Sequence, residues 1–169
     1  MDYHYIINEL SRNKKVFKDL LSGLTEEFYI WSPAPDKWCL LEIICHLYDE
    51  EREDFKTRTK ILLDTPALEL PSIDPTGWVI RRKYIEQNYV HTLSIFLKER
   101  EKSVQWLQSL KNPQWDNAFH HPKFGKMTAK LFLTNWLAHD YLHIRQIIAL
   151  KFNYLKQHAD EPLDYAGNW

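Results

Sequence analysis

Residues 131–148 read Leu131-Phe132-Leu133-Thr134-Asn135-Trp136-Leu137-Ala138-His139-Asp140-Tyr141-Leu142-His143-Ile144-Arg145-Gln146-Ile147-Ile148. Phe132, Trp136, His143 and Ile147 recur at helical spacing, so the stretch reads as a helix with an apolar stripe. His139 and His143 lie on that stripe. Their i, i+4 spacing stacks two imidazoles on one helical face, which suits two adjacent positions of a single metal ion. Two core histidines satisfied by hydrogen bonds would give the same pattern. Thr128 is placed to cap this helix, which is expected to reach about Lys156.

Three more helices can be read upstream. The first is expected over Tyr3–Leu21, with Ile6, Leu10, Phe17, Leu20 and Leu21 as its apolar positions and Gly23 as its stop. A loop from Leu24 to Lys37 carries Trp31, Pro33 and Pro35, with Asp36 as the expected N-cap of a second helix over Trp38–Leu63. That helix opens apolar all round, from Leu40 to Tyr48, and then turns acidic (Asp49, Glu50, Glu51, Glu53, Asp54), which predicts a buried start and a solvated continuation. Leu70-Pro71 and Asp74-Pro75 break the chain before a third helix over Arg82–Leu110. Asn112-Pro113 ends it, and residues 114–126 are expected as loop. The resulting expectation is an all-α four-helix bundle forming one domain over residues 1–169, with its core over about 3–158 and a tail over 159–169.

Composition narrows the function classes. The 169 residues carry 22 Lys+Arg against 23 Asp+Glu, too even a balance for a broad cationic surface, so nucleic acid is not an expected partner. Seven Trp within 14% aromatic residues point to an aromatic core. The start Met-Asp-Tyr-His-Tyr lacks the pattern of a secretion signal, and no apolar run reaches membrane-spanning length. Cys39 and Cys45 point in different directions on one helix, which argues against a disulfide between them. The expected compartment is the reducing cytoplasm.

His46 supplies the third imidazole. It lies in an apolar stretch of another helix, where an unpartnered ring would be costly to bury, and bundle cores build metal sites from facing helices. Three neutral imidazoles suit zinc, nickel, copper or iron and leave coordination positions open. Asp49 and Glu50, one turn beyond His46, are candidates for an extra ligand, a partner to a ligand, or a proton-transfer group, against the plainer reading of a solvated acidic face. His91, His120 and His121 fit surface or loop positions. Tyr48, Trp136 and Tyr141 are candidates for the pocket mouth, with plain core as the alternative. Cys45 points about 100° away from His46 and reads as a buried hydrophobe.

Trp38 with Leu41-Glu42-Ile43-Ile44-Cys45-His46-Leu47, then Arg100, then Gly125-Lys126-Met127-Thr128, and finally His139-Asp140-Tyr141-Leu142-His143-Ile144-Arg145-Gln146-Ile147 resemble, in order and spacing, the DinB-like (damage-inducible) superfamily of metal-dependent enzymes. The last segment is similar to that family's closing H-x-x-x-H-x-x-Q-I signature, and Cys39 stands where the family often has Ser. The resemblance implies an up-down-down-up bundle, often a homodimer, with one divalent ion on His46, His139 and His143. Zinc or nickel is the expected ion, with iron or manganese as further choices. The implied chemistry is transfer of a low-molecular-weight thiol such as bacillithiol or mycothiol onto a small electrophile. Metal-dependent hydrolysis of a small-molecule substrate is the alternative, and a non-catalytic metal-binding stress-response protein is a second one.

Other histidine chemistries fit less well. His139-Asp140-x-x-His143 as a variant of H-E-x-x-H would put a shorter Asp in place of the Glu general base. The His139-Asp140 doublet is similar to that of HD phosphohydrolases, but Asp160 and Asp164 lie too close in sequence to serve as the downstream ligand. Arg145 stands where iron-dependent sulfoxide synthases have a Glu.

Overall fold

The computed structural model describes residues 2–167. Helix α1 (Tyr3–Leu21) has the expected bounds: the Asp2 side chain accepts the His4 N–H at its start, and Gly23 at φ 73° follows its end. After the short α2 (Glu26–Ile30), α3 (Leu40–Asp49) continues through a π-helical turn (Glu50–Phe55) into α4 (Lys56–Asp64). A short α5 (Pro75–Arg81) and a 3-10 turn (Tyr84–Glu86) lead to α6 (Tyr89–Ser109). A hairpin of β1 (Ala118–His121) and β2 (Gly125–Thr128) precedes α7 (Ala129–His158). The fold is all-α in character, with the short helices and this hairpin added to the long helices read from sequence.

Several expectations need correction. Asp36 does not cap the second helix; Cys39 is the N-cap, and its backbone N–H is accepted by Glu42 Oε2 at 2.9 Å. The third helix starts at Tyr89 rather than Arg82, because Lys83 sits at φ 48° and Asn88 caps the His91 N–H; Ile85, within the expected span, is exposed. The loop expected over 114–126 contains strand pairing, Ala118 opposite Thr128 and His121 opposite Gly125, whose φ of 71° suits a glycine at the turn. Thr128 does cap α7, accepting the Leu131 N–H.

Contacts between named residues give the helix directions. Tyr89 donates to the Leu21 carbonyl and Arg100 to that of Leu10, so α1 and α6 are antiparallel. Asn13 meets Asp140 and Lys151 meets Leu20, so α1 and α7 are parallel. His46 lies opposite His143, and Phe55 opposite Trp136, so the α3–α4 segment runs antiparallel to α7.

The apolar core falls into two clusters, one with Phe17, Leu47, Phe96 and Ile147, the other with Leu10, Phe55, Val104 and Trp136. On each long helical segment a polar residue lies in sequence between the two clusters: Asn13, Glu51, Arg100 and Asp140. These four form one bonded layer. Arg100, 1% exposed, donates to both Asp140 oxygens at 2.6 and 2.7 Å and through Nε to Glu51 at 3.0 Å. Asn13 also donates to Asp140, and the Trp136 indole to Glu51. This layer overturns the expected solvated face after Tyr48: Asp49, Glu50, Glu51 and Asp54 are all buried. Periodicity missed it because the partners of Glu51 are supplied by other helices.

Candidate metal centre

The apolar opening of α3 buries His46, and the stripe on α7 carries His139 and His143 toward it. The three Nε2 atoms converge: His46 to His139 is 3.2 Å and His139 to His143 is 3.1 Å. Among the described residues these three donor atoms form the one His, Cys, Asp or Glu group compact enough to hold an ion, all lying within 4.8 Å of one another. His143 Nδ1 is 2.8 Å from Gln146 Oε1. With the proton on Nδ1, donated to Gln146, Nε2 of His143 presents its lone pair to the centre.

Hydrogen bonding alone does not satisfy this arrangement. Nε2 of His139 can carry one proton and so can donate to only one of its two imidazole neighbours. A tetrahedral ion with metal–nitrogen distances of about 2.0–2.1 Å would separate its ligands by about 3.3 Å, close to the spacings found. Protonation is disfavoured as well. Burial, followed by the neighbouring His143 imidazole, drives His46 down to about 3 and His139 down to about 2; burial also lowers His143. The rings are therefore uncharged at neutral pH, the state a metal needs. The residues present fit a divalent ion.

Aromatic rings wall the centre, with Trp38 4.9 Å from the His46 ring and Phe55 5.0 Å from that of His139. A hollow of about 480 Å³ lined by Leu142, His143, Arg145, Gln146 and Ala149 adjoins the ligand set. The two candidate carboxylates go different ways. Asp49 accepts from Tyr84 Oη at 2.7 Å and is paired with Arg52 and Arg82, beside a separate hollow that also holds His91. Glu50 lies outside the compact donor group and is buried next to Asp54.

Of the residues expected at the pocket mouth, Trp136 is fully buried with its indole on Glu51, Tyr141 is exposed and bonded to Glu9, and Tyr48 lines the hollow beside Asp49. Asp140 is committed to Arg100, which removes it as a general base of the zincin kind. Both cysteines are free and buried, and burial pushes the Cys45 thiol up to about 12. Sequence reasoning gave no role to Gln146, although its place one turn after His143 was a usable signal.

A model of the DinB superfamily matches residues 9–147. The chain belongs to the DinB superfamily. No curated protein matches it. Among solved structures, this DinB superfamily chain is similar to YfiT from Bacillus subtilis, with a TM-score of 0.79 and 18% identity over 90% of this chain and 87% of that one. YfiT is described as a probable metal-dependent hydrolase with an unusual four-helix bundle topology. At that identity the likeness establishes the fold. No helix among the described residues is long and apolar enough to cross a membrane.

Proposed function

We propose that this DinB superfamily protein is a metal-dependent hydrolase of small molecules whose ion, zinc or nickel, is held by His46, His139 and His143. The observation that carries the reading is the convergence of three uncharged Nε2 atoms on one point from α3 and α7. The relative described as a probable metal-dependent hydrolase supports it. The long helices are read as up, down, down, up from the pairings of α1 with α6 and α7 and of α3–α4 with α7.

A divalent ion in such a site lowers the pKa of a bound water toward neutrality. The chain's own residues do the rest. Gln146 fixes the His143 ring, Trp38 and Phe55 exclude bulk water from the ligands, and the hollow beside His143 admits a small substrate. Proton movement is assigned to Glu50, since the Asp49 carboxylate is taken up by Tyr84, Arg52 and Arg82. Transfer of a low-molecular-weight thiol would use the same three ligands. The experiment is elemental analysis followed by a panel of esters, amides and electrophiles with and without bacillithiol or cysteine. Chelator-sensitive cleavage that needs no thiol is expected; turnover only with thiol would replace hydrolysis by transfer, and absence of metal uptake would end both.

A further inference from the structure

In the acidic run after Tyr48, two buried carboxyl groups, Glu50 and Asp54, stand outside both the Arg100 layer and the Asp49 cluster. Glu50 and Asp54 are 4% and 8% exposed, lie four residues apart in the π-helical turn, and are close enough for each carboxyl group to perturb the other. π-Helical turns inside longer helices are frequent at functional sites. Arg58 stands beyond them, its Nε 3.0 Å from Asp54 Oδ1 and its Nη2 donating to the Pro71 carbonyl. His46 precedes Glu50 by four residues, so one side of the segment carries His46, Glu50, Asp54 and Arg58 in order. Oε1 of Glu50 is buried with no hydrogen-bond partner.

Two neighbouring carboxyl groups at a dry site resist ionising together, and Arg58 pairs with one of them, Asp54. Burial, and then Asp54, push Glu50 up to about 8, while burial raises Asp54. Among the surrounding charges, Asp49 adds repulsion. Glu51, Arg100 and Asp140 satisfy one another, Glu99 is tied to Lys56 and Lys102, and His46 and His139 are neutral.

We propose that Glu50 and Asp54 form one proton-carrying unit serving the three-histidine site, with Glu50 as the exchanging member and Asp54 as the positioning residue that keeps the proton there. The proposal rests on the hydrolase reading and deepens it. In cleavage of an ester or amide, the oxygen of water bonds to the carbonyl carbon, one water proton leaves, and the bond to the leaving group breaks. The singly protonated pair takes up that proton and returns one to the leaving group. It ends as it began, and nothing is oxidised or reduced.

The test is infrared titration of the metal-free and zinc-loaded protein, following the carbonyl band of a protonated buried carboxyl group. Metal-free wild type should show the band at neutral pH and lose it with a midpoint of about 8. Glu50→Gln should lack it at neutral pH and Asp54→Asn should lower its midpoint, both while binding zinc like wild type. Zinc loading should move the wild-type midpoint down by about a unit or more, because a nearby positive charge favours the carboxylate. The proposal is overturned if metal-free wild type has no such band, if the band survives in Glu50→Gln, if Asp54→Asn leaves its midpoint unmoved, or if folded Glu50→Gln loses zinc, which would make Glu50 a ligand. Should the variants fail to fold, the wild-type midpoints with and without zinc still decide. A protein that takes up no zinc removes the hydrolase reading and this proposal together, whereas a midpoint unmoved by bound zinc removes the proposal alone.

Discussion

Arg100→Met tests the buried polar layer directly. Arg100 is the one cation between Glu51 and Asp140, bonded to Asp140 at 2.6 and 2.7 Å and to Glu51 at 3.0 Å, and it also donates to the Leu10 carbonyl at 3.4 Å. Removing it leaves two buried carboxylates, one with the Trp136 indole and the other with the Asn13 amide as remaining side-chain donor. Breaking a buried ion pair from one side costs about 3–5 kcal/mol, largely because the abandoned charge stays desolvated. With a urea m-value of about 2 kcal/mol/M, the unfolding midpoint should fall by about 2 M. Adding Glu51→Gln and Asp140→Asn to Arg100→Met removes the stranded charge and should recover most of the loss. Equilibrium urea unfolding followed by circular dichroism, in metal-free protein, measures all three. A midpoint drop below about 0.5 M for Arg100→Met, or no recovery in the triple variant, would refute the reasoning.

Other outcomes follow from the site. His139→Ala and His143→Ala should abolish tight zinc binding while far-UV circular dichroism stays helical, since the two apolar clusters lie mostly elsewhere; unfolding of either variant would instead make the histidines structural. Gln146→Leu should weaken zinc affinity by about 10–100-fold, as loss of a ligand's hydrogen-bond partner does, measured by competition with a chelating dye. His139 is driven down to about 2 from 6.5, so below pH 6.5 the unfolded chain takes up a proton that the native metal-free protein refuses, and stability falls as pH drops. Relative to His139→Gln, metal-free wild type should therefore lose about 2 kcal/mol more between pH 6.5 and pH 5 in paired urea titrations. Glu42→Ala should cost about 1 kcal/mol through loss of its bond to the Cys39 N–H, read as a lower thermal midpoint, and should leave zinc affinity unchanged.

The parts of the fold legible in sequence were those whose cause is local. The α1 bounds, the Thr128 cap and the apolar stripe of α7 depend on neighbours within a few residues, and so does the pairing of His139 with His143. His46 could be added because an imidazole in an apolar run needs a partner wherever that partner lies. The misjudged segment was 49–54: Arg52 and Arg58 are local partners of Asp49 and Asp54, but Glu51 depends on Arg100 and Trp136, and Asp49 also on Tyr84 and Arg82, all more than twenty-five residues away in sequence. Helical periodicity carries no information about such partners. The hairpin over 118–128 was missed for another reason: its strands are four residues each, and half of their residues, His120, His121, Gly125 and Lys126, carry little strand preference of their own.

The approach of Trp38 to His46 gives the protein a built-in optical reporter. Its indole is 4.9 Å from a ring whose nitrogen would bear the ion, close enough for emission to respond to what occupies the centre. A paramagnetic ion such as nickel or copper should dim that indole strongly, while closed-shell zinc should leave it bright. With seven tryptophans in the chain the signal is a difference, and Trp38→Phe isolates it. Metal exchange can then be followed in real time without a dye, and displacement of one ion by another becomes a change in light.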